Sequence, residues 1–233
     1  MIFLLISLEI NSVLNQIDSI YQESYKDTSL FNIASKLLDS IYKIYPENVE
    51  ILWRKSYFCY LKGDSEKNKE KKISYFKEGQ EYGKKGMKID SLHPETHYWF
   101  AVNRAKEGEM KGVLNSLFMV DELKKEANTV LKIHPNHAGA YVLLGSIYNA
   151  LPSFAGGDKE KAVEYLNKAI ECDSTYNAAY MTLSEILINS KKYKEARELL
   201  ERFLRLKKHR DERLFHLNDK KKAEDMLKKI EGK

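Results

Sequence analysis

The sequence is poor in residues that staple, span or break. Two cysteines, Cys59 and Cys172, lie far apart without the paired spacing of a zinc site or disulfide framework, so both are read as small buried hydrophobes. No stretch approaches the roughly 20 apolar residues of a membrane-spanning helix, which points to a soluble body. A dominant charge is also missing: 39 Lys and Arg face 34 Asp and Glu, interleaved along nearly the whole length, so nucleic acid is not the expected partner. Gly-x-Ser-x-Gly, His-Glu-x-x-His and a cysteine with a histidine nearby in sequence are all absent, leaving no catalytic residue to nominate and no enzyme to expect. Gly79 to Gly83 has the wrong spacing for a phosphate loop, and no Ser or Thr follows Lys84-Lys85, so no cofactor is expected.

What the chain does have is apolar material in helical rhythm. At 43% apolar over 233 residues it can bury a core of ordinary size. Tyr193, Ala196, Leu200 and Phe203 form one helical stripe, Ala223, Met226, Leu227 and Ile230 another, and no segment reads as a strand. Eleven helices are predicted, at about 7–23, 28–45, 47–62, 66–89, 95–108, 113–133, 136–151, 158–172, 175–190, 192–207 and 217–231. Met1 to Leu8 fits two readings. It is either the end of a secretory signal, which would imply the periplasm, or the opening of the first amphipathic helix, continued by Ile10, Val13, Ile17 and Ile20 and consistent with the cytoplasm.

Three of the four prolines stand in similar settings, Tyr45-Pro46-Glu47-Asn48, His93-Pro94-Glu95-Thr96 and His134-Pro135-Asn136-His137. Proline is tolerated only in a helix's first turn, so each marks a helix start; at Asp173-Ser174-Thr175-Tyr176 a capping serine takes its place. Aligned on Pro46, Pro94, Pro135 and Ser174, the junctions fall 48, 41 and 39 residues apart, a recurring pair of helices. Tyr141-x2-Leu144-Gly145-x2-Tyr148, followed by Ala162, Leu166 and Ala169, resembles the tetratricopeptide repeat, and Tyr180, Leu183, Ser184 and Leu187 with Ala196 and Leu200 repeat the pattern. Ala34, Leu38 and Pro46 match the second half of a unit, and the segments around Trp53 and Tyr98 resemble degenerate first helices.

The resemblance implies an all-α fold, an α-solenoid of stacked antiparallel helix pairs in a right-handed superhelix, built as one domain over 1–233. Its units would be about 7–45, 47–92, 93–133, 136–173 and 175–208, with a capping helix at 217–231. Pro152, Gly156, Gly157 and Asp158 lengthen one loop in a way similar to the T component of TRAP transporters, which implies the alternative of a periplasmic protein handling a small ligand with a substrate-binding protein. Trp99 and Ala101 with Leu144-Gly145 resemble the regulator-of-microtubule-dynamics group, which implies eukaryotic partners.

Solenoids of this kind bind through the surface lined by the first helices of successive units. On the expected phase, Arg54, Phe58, Trp99, Asn103, Lys106, Val142, Ser146, Asn149, Met181 and Glu185 face that groove. Aromatics, cations and amides together suit a peptide or protein partner, or a small anionic ligand; homo-oligomers stay open. The carboxylate clamp of some chaperone-binding members needs recurring Lys and Asn, and Asn103 alone does not make one.

Three further features have bland readings. Gly79, Gly83 and Gly86 share one helical face at a combined cost of about 2 kcal/mol, offset by close approach of a neighbouring helix. His93 with His97 and His134 with His137 flank helix starts without a recurring acidic third ligand, so no metal site is expected. The basic run Arg205 to Arg213 with Lys220 to Lys222 is diluted by acidic residues and reads as a solvated outer face.

Overall fold

The fold is described from a computed structural model that covers residues 2–233, with side chains placed for 8–112 and 115–233. Among the described residues there is no strand. The helices are α1 (Ile2–Glu23), α2 (Ser29–Ile44), α3 (Val49–Ser65), α4 (Lys69–Ile89), α5 (Pro94–Lys111), α6 (Val113–Ile133), α7 (Ala138–Ala150), α8 (Lys159–Cys172), α9 (Asn177–Asn189) and α10 (Tyr193–Leu204). A short α11 (Glu212–Leu214) runs through a π-helical turn, Phe215–Asp219, into α12 (Lys220–Lys229). The backbone of α1 is helical through the apolar N-terminal run.

Polar side chains set many of the helix starts. Asn48 accepts from the Ile51 amide, Asn68 from Lys71, His137 Nδ1 from Ala140 and Asp158 from both Glu160 and Lys161, each meeting donors that the first helical turn leaves unpaired.

Four interhelix turns repeat the same backbone hydrogen bonds. Tyr45 N bonds Ile41 O at 2.9 Å and Asn48 N bonds Tyr45 O at 3.2 Å. The pairs Asp90 to Gly86 and His93 to Asp90, His134 to Val130 and His137 to His134, and Asp173 to Ala169 and Tyr176 to Asp173 follow the same pattern. The equivalent residues are therefore Pro46, Ser91, Pro135 and Ser174, and the true spacings are 45, 44 and 39 residues. Pro94 is not the counterpart of Pro46 and Pro135. It opens α5 itself, one residue after the cap position, whereas the other two sit in the turn.

The chain divides into two compact units, residues 1–103 and 104–233, where the sequence pattern suggests one continuous array. In the first, Leu14, Ile17, Tyr21, Ala34, Leu38, Ile51, Phe58 and Leu61 form the core. Beside it the glycine face of α4 meets α5: a Cβ on Gly79, Gly83 or Gly86 would come within 2.5, 2.7 and 2.5 Å of Asn103, Phe100 and Thr96. The expected close approach of a helix is what the three glycines serve.

In the second unit the core runs from Ala162, Leu166 and Ala169 through Tyr180, Leu183, Ala196, Leu200 and Phe203 to Ala223 of α12 and Ile230 just after it. The capping helix is thus packed where it was expected. The basic run before it is not wholly solvated, because His209 is buried with its ring stacked 3.4 Å from Phe215 and Asp211 is buried beside Asn177. Asn177 donates to Asp211 O and Asp219 Oδ2 and accepts from Asp211 N, tying α9 to the cap segment.

Candidate protein-binding site

Helix α3 is enclosed on almost every side: Ile51, Leu52, Arg54, Lys55, Ser56, Phe58, Cys59, Leu61 and Gly63 are all buried. A helix surrounded like this has one open line, and here it runs through Glu50, Trp53, Tyr57, Tyr60 and Asp64. Helix α5 sets Trp99 against that line, its ring 4.2 Å from Tyr57 and 5.5 Å from Tyr60. Tyr57 and Tyr60 stack at 6.4 Å, and the Tyr57 hydroxyl meets that of Tyr21 at 2.9 Å. The result is a half-buried shelf of four aromatic rings within the first unit. The indole Nε1 of Trp99 is buried without a hydrogen-bond partner.

One end of the shelf is fixed by charge. Arg54, 8% exposed, reaches back to α1, where its Nε and Nη2 hold Asp18 at 2.8 to 3.1 Å, while Nη1 holds Glu50 at 2.9 Å. Its guanidinium lies 4.1 Å from the Trp53 ring. Glu50 also accepts from Trp53 Nε1 at 2.8 Å and meets His93 Nε2 at 3.1 Å. The His93 contact above all, with help from Trp53 and Arg54 and against the opposing effect of burial, holds the Glu50 carboxyl down at about 2. On the opposite side of α3, Lys55 pairs with Asp39 beneath the rings of Tyr42 and Tyr82. Burial pushes the Tyr82 hydroxyl up to about 12.

The structure sorts the ten expected groove residues. Trp99, Lys106, Ser146, Asn149 and Glu185 are half-exposed, whereas Phe58, Asn103, Val142 and Met181 are buried. Phe58 stacks on Phe31 in the first core. Asn103 donates to Ser56 O, Ser56 Oγ and Trp99 O. Arg54 is buried, its charge already met by two carboxylates, so the anionic-ligand reading loses its main cation. Lys106 pairs with Glu109, Asn149 takes Lys159, and Glu185 pairs with Lys222. On α3 the open line lies one residue before the expected phase, with Trp53 and Tyr57 half-exposed beside the buried Arg54 and Phe58.

Other chemistry-bearing groups have structural partners. Among the described residues no three His, Cys, Asp or Glu gather to hold a metal, and no helix is long and apolar enough to cross a membrane. His97 bonds Ser91 O, and His137 caps α7. Burial pushes the Cys59 thiol up to about 12, which disfavours the thiolate that nucleophilic chemistry uses. The better-formed hollows, of about 420 and 200 Å³, open on the cap. They are lined by residues such as Lys222, Met226 and Lys229, with no serine, cysteine or histidine.

Comparison with known proteins places this geometry. The regulator of microtubule dynamics protein 1-3 family matches residues 13–149, more than half of the chain and all of the aromatic shelf. The chain belongs to that family. Tetratricopeptide repeats match residues 138–176 and 178–210 of this family member. Uncharacterized protein MJ0572 of Methanocaldococcus jannaschii is 40% identical over 65 residues, 28% of this chain and 76% of that protein. The crystal structure of TTC0263, a thermophilic TPR protein in Thermus thermophilus, superposes with a TM-score of 0.67 at 12% identity, covering 94% of this chain and 97% of that one. The pilF protein of Pseudomonas aeruginosa gives 0.52 at 13% identity, over 94% and 89%. The fold is the all-α, tetratricopeptide-type helical solenoid, a fold that typically serves as a non-catalytic scaffold for protein–protein contacts.

Proposed function

We propose that this chain is a non-catalytic interaction module that captures an extended segment of a protein partner on the aromatic shelf of its first unit. The observation that carries the reading is the open line of α3, where a helix otherwise buried all round shows Trp53, Tyr57 and Tyr60, joined by Trp99. Rigid aromatic side chains bury much area at little entropic cost, and the exposed Asp64 at one end of the line adds a polar acceptor. The microtubule-regulation name of the family describes a task carried out through protein contacts, which this reading fits. The transporter-associated alternative draws no support from these relatives, and Arg54, the cation best placed for a small anion, is already paired.

The test is selection of binders from a library of unstructured peptides, followed by affinity measurement on variants. Tyr60→Ala and Trp99→Ala are each expected to weaken a selected peptide about tenfold or more, roughly 1.4 kcal/mol, while the helical spectrum is kept. Unchanged affinity in both variants would remove the shelf as the binding site.

A further inference from the structure

The charges of the first unit are sorted between its helices. Helix α4 carries seven lysines, whereas α1 from Ile2 to Glu23 and α5 from Pro94 to Asn103 carry no Lys or Arg. Apart from histidine, the ionisable charges there are acidic: Glu9, Asp18 and Glu23 on α1 and Glu95 on α5. Helix α3, which touches α1 through Asp18 and Tyr21 and α5 through Trp99, has three cations, and none stands on its open line. Arg54 and Lys55 are buried and already paired with carboxylates. Lys62 comes nine residues after Trp53, which at about 100° per residue puts it on the opposite side of the helix.

The exposed charge along the shelf is therefore negative. At one end Asp18 and Glu50, with side chains 40% and 41% exposed, bring two negative charges to the single guanidinium of Arg54. At the other end Asp64 is exposed. Between them lie Trp53, Tyr57 and Tyr60, with Trp99 alongside. Aromatic faces attract cations through their quadrupoles, and a planar guanidinium stacks on them well. The unit already holds one such contact, the Arg54 guanidinium lying 4.1 Å from the Trp53 ring while it bonds Asp18 and Glu50.

We propose that the segment captured on the shelf is basic, with one arginine or lysine beside Asp18 and Glu50, a second beside Asp64, and apolar residues on the rings between. Glu50 and Asp64 are 14 residues apart on α3, about 21 Å, a distance that an extended chain covers in about six residues. The two basic residues of the partner therefore fall about six positions apart. An acidic segment would instead meet Asp18, Glu50 and Asp64 as like charges, which costs affinity and slows encounter.

Because this partner class rests on the shelf as the binding site, the peptide library is selected in parallel on the wild-type chain, Tyr60→Ala and Trp99→Ala. Peptides lost on either variant are the shelf binders. Among these, Arg and Lys are expected to outnumber Asp and Glu about threefold or more, and pairs of basic residues about six positions apart to recur. Asp64→Lys changes an exposed position near the end of α3 and is expected to weaken the best such peptide about fivefold at about 0.05 M salt, and less at about 0.5 M. The titration is run at about pH 8, above the usual histidine range. Reversing the basic residue at one end of the peptide to Glu should recover the loss on Asp64→Lys. Shelf binders that are neutral or acidic, or a basic one indifferent to Asp64→Lys, would overturn the basic-partner assignment and leave the shelf as the site. Peptides bound equally by all three chains, or a library that yields no binder, would overturn both.

Discussion

Both units must bring helices closer than ordinary side chains allow, and they use different residues to do it. The second unit relies chiefly on alanine: Ala162, Ala169, Ala179, Ala196 and Ala223 are all fully buried, with Gly145 the one glycine set against Leu166. The first uses glycine along α4, where even a methyl group has no room, and adds charge between α1, α3 and the start of α5. Glycine in a helix interior costs about 0.5–1 kcal/mol relative to alanine, so a seam of three persists only where the approach of the next helix offsets it. The lesson is that the first unit's helix spacing is fixed by its tightest contact rather than by a repeating pattern.

The comparison can be broken most sharply at Gly83. A Cβ there would meet Phe100 Cβ at 2.7 Å and Phe100 Cα at 3.0 Å, atoms that cannot swing aside. Gly83→Ala is therefore expected to lose about 2–3 kcal/mol despite alanine's better helix propensity, read as a fall in the denaturation midpoint. In the second unit, Asn177→Ala removes three hydrogen bonds between α9 and the cap, two of them buried, and should cost about 2 kcal/mol, with faster hydrogen exchange at 211–229.

Glu50→Gln probes the first unit's charge. The shift from 4.5 to about 2 would be worth about 3 kcal/mol for an enclosed group, but the side chain is 41% exposed, and solvent screening reduces the expected loss to about 1 kcal/mol. Because the folded-state value is depressed, this contribution is fully present above pH 4.5 and drains away as the pH falls toward 2. Urea titrations of wild type and variant should therefore converge across that window. Gly145→Ala is the smallest effect, about 1 kcal/mol, because its nearest obstacle is the Leu166 side chain at 2.8 Å and its one backbone obstacle, the Ala162 carbonyl oxygen, stands farther off at 3.1 Å. A loss at Gly145 equal to that at Gly83 would erase the contrast between the units.

Much of the fold was legible in the sequence. The turn residues and the helical spacing of apolar positions set the predicted helices close to those observed, and the glycine face announced its close neighbour. The turn register was misread at Pro94, because a proline can stand in the turn or at the first helical position and sequence alone does not separate the two. The open line of α3 was not legible: apolar residues occur on every side of that helix, so periodicity could not fix the phase, and the expected line ran through the buried Arg54 and Phe58 rather than the half-exposed Trp53, Tyr57 and Tyr60. Arg54 looked like a groove cation because its partner Asp18 is 36 residues away, a pairing that no local pattern reveals.

The chain has two tryptophans, Trp53 and Trp99, and both stand at the aromatic shelf. Titrating a library-selected peptide while following tryptophan emission therefore reports on the shelf alone. The account predicts a saturable change in intensity and wavelength that tracks the independently measured binding curve. Tight binding with unchanged tryptophan emission would contradict it.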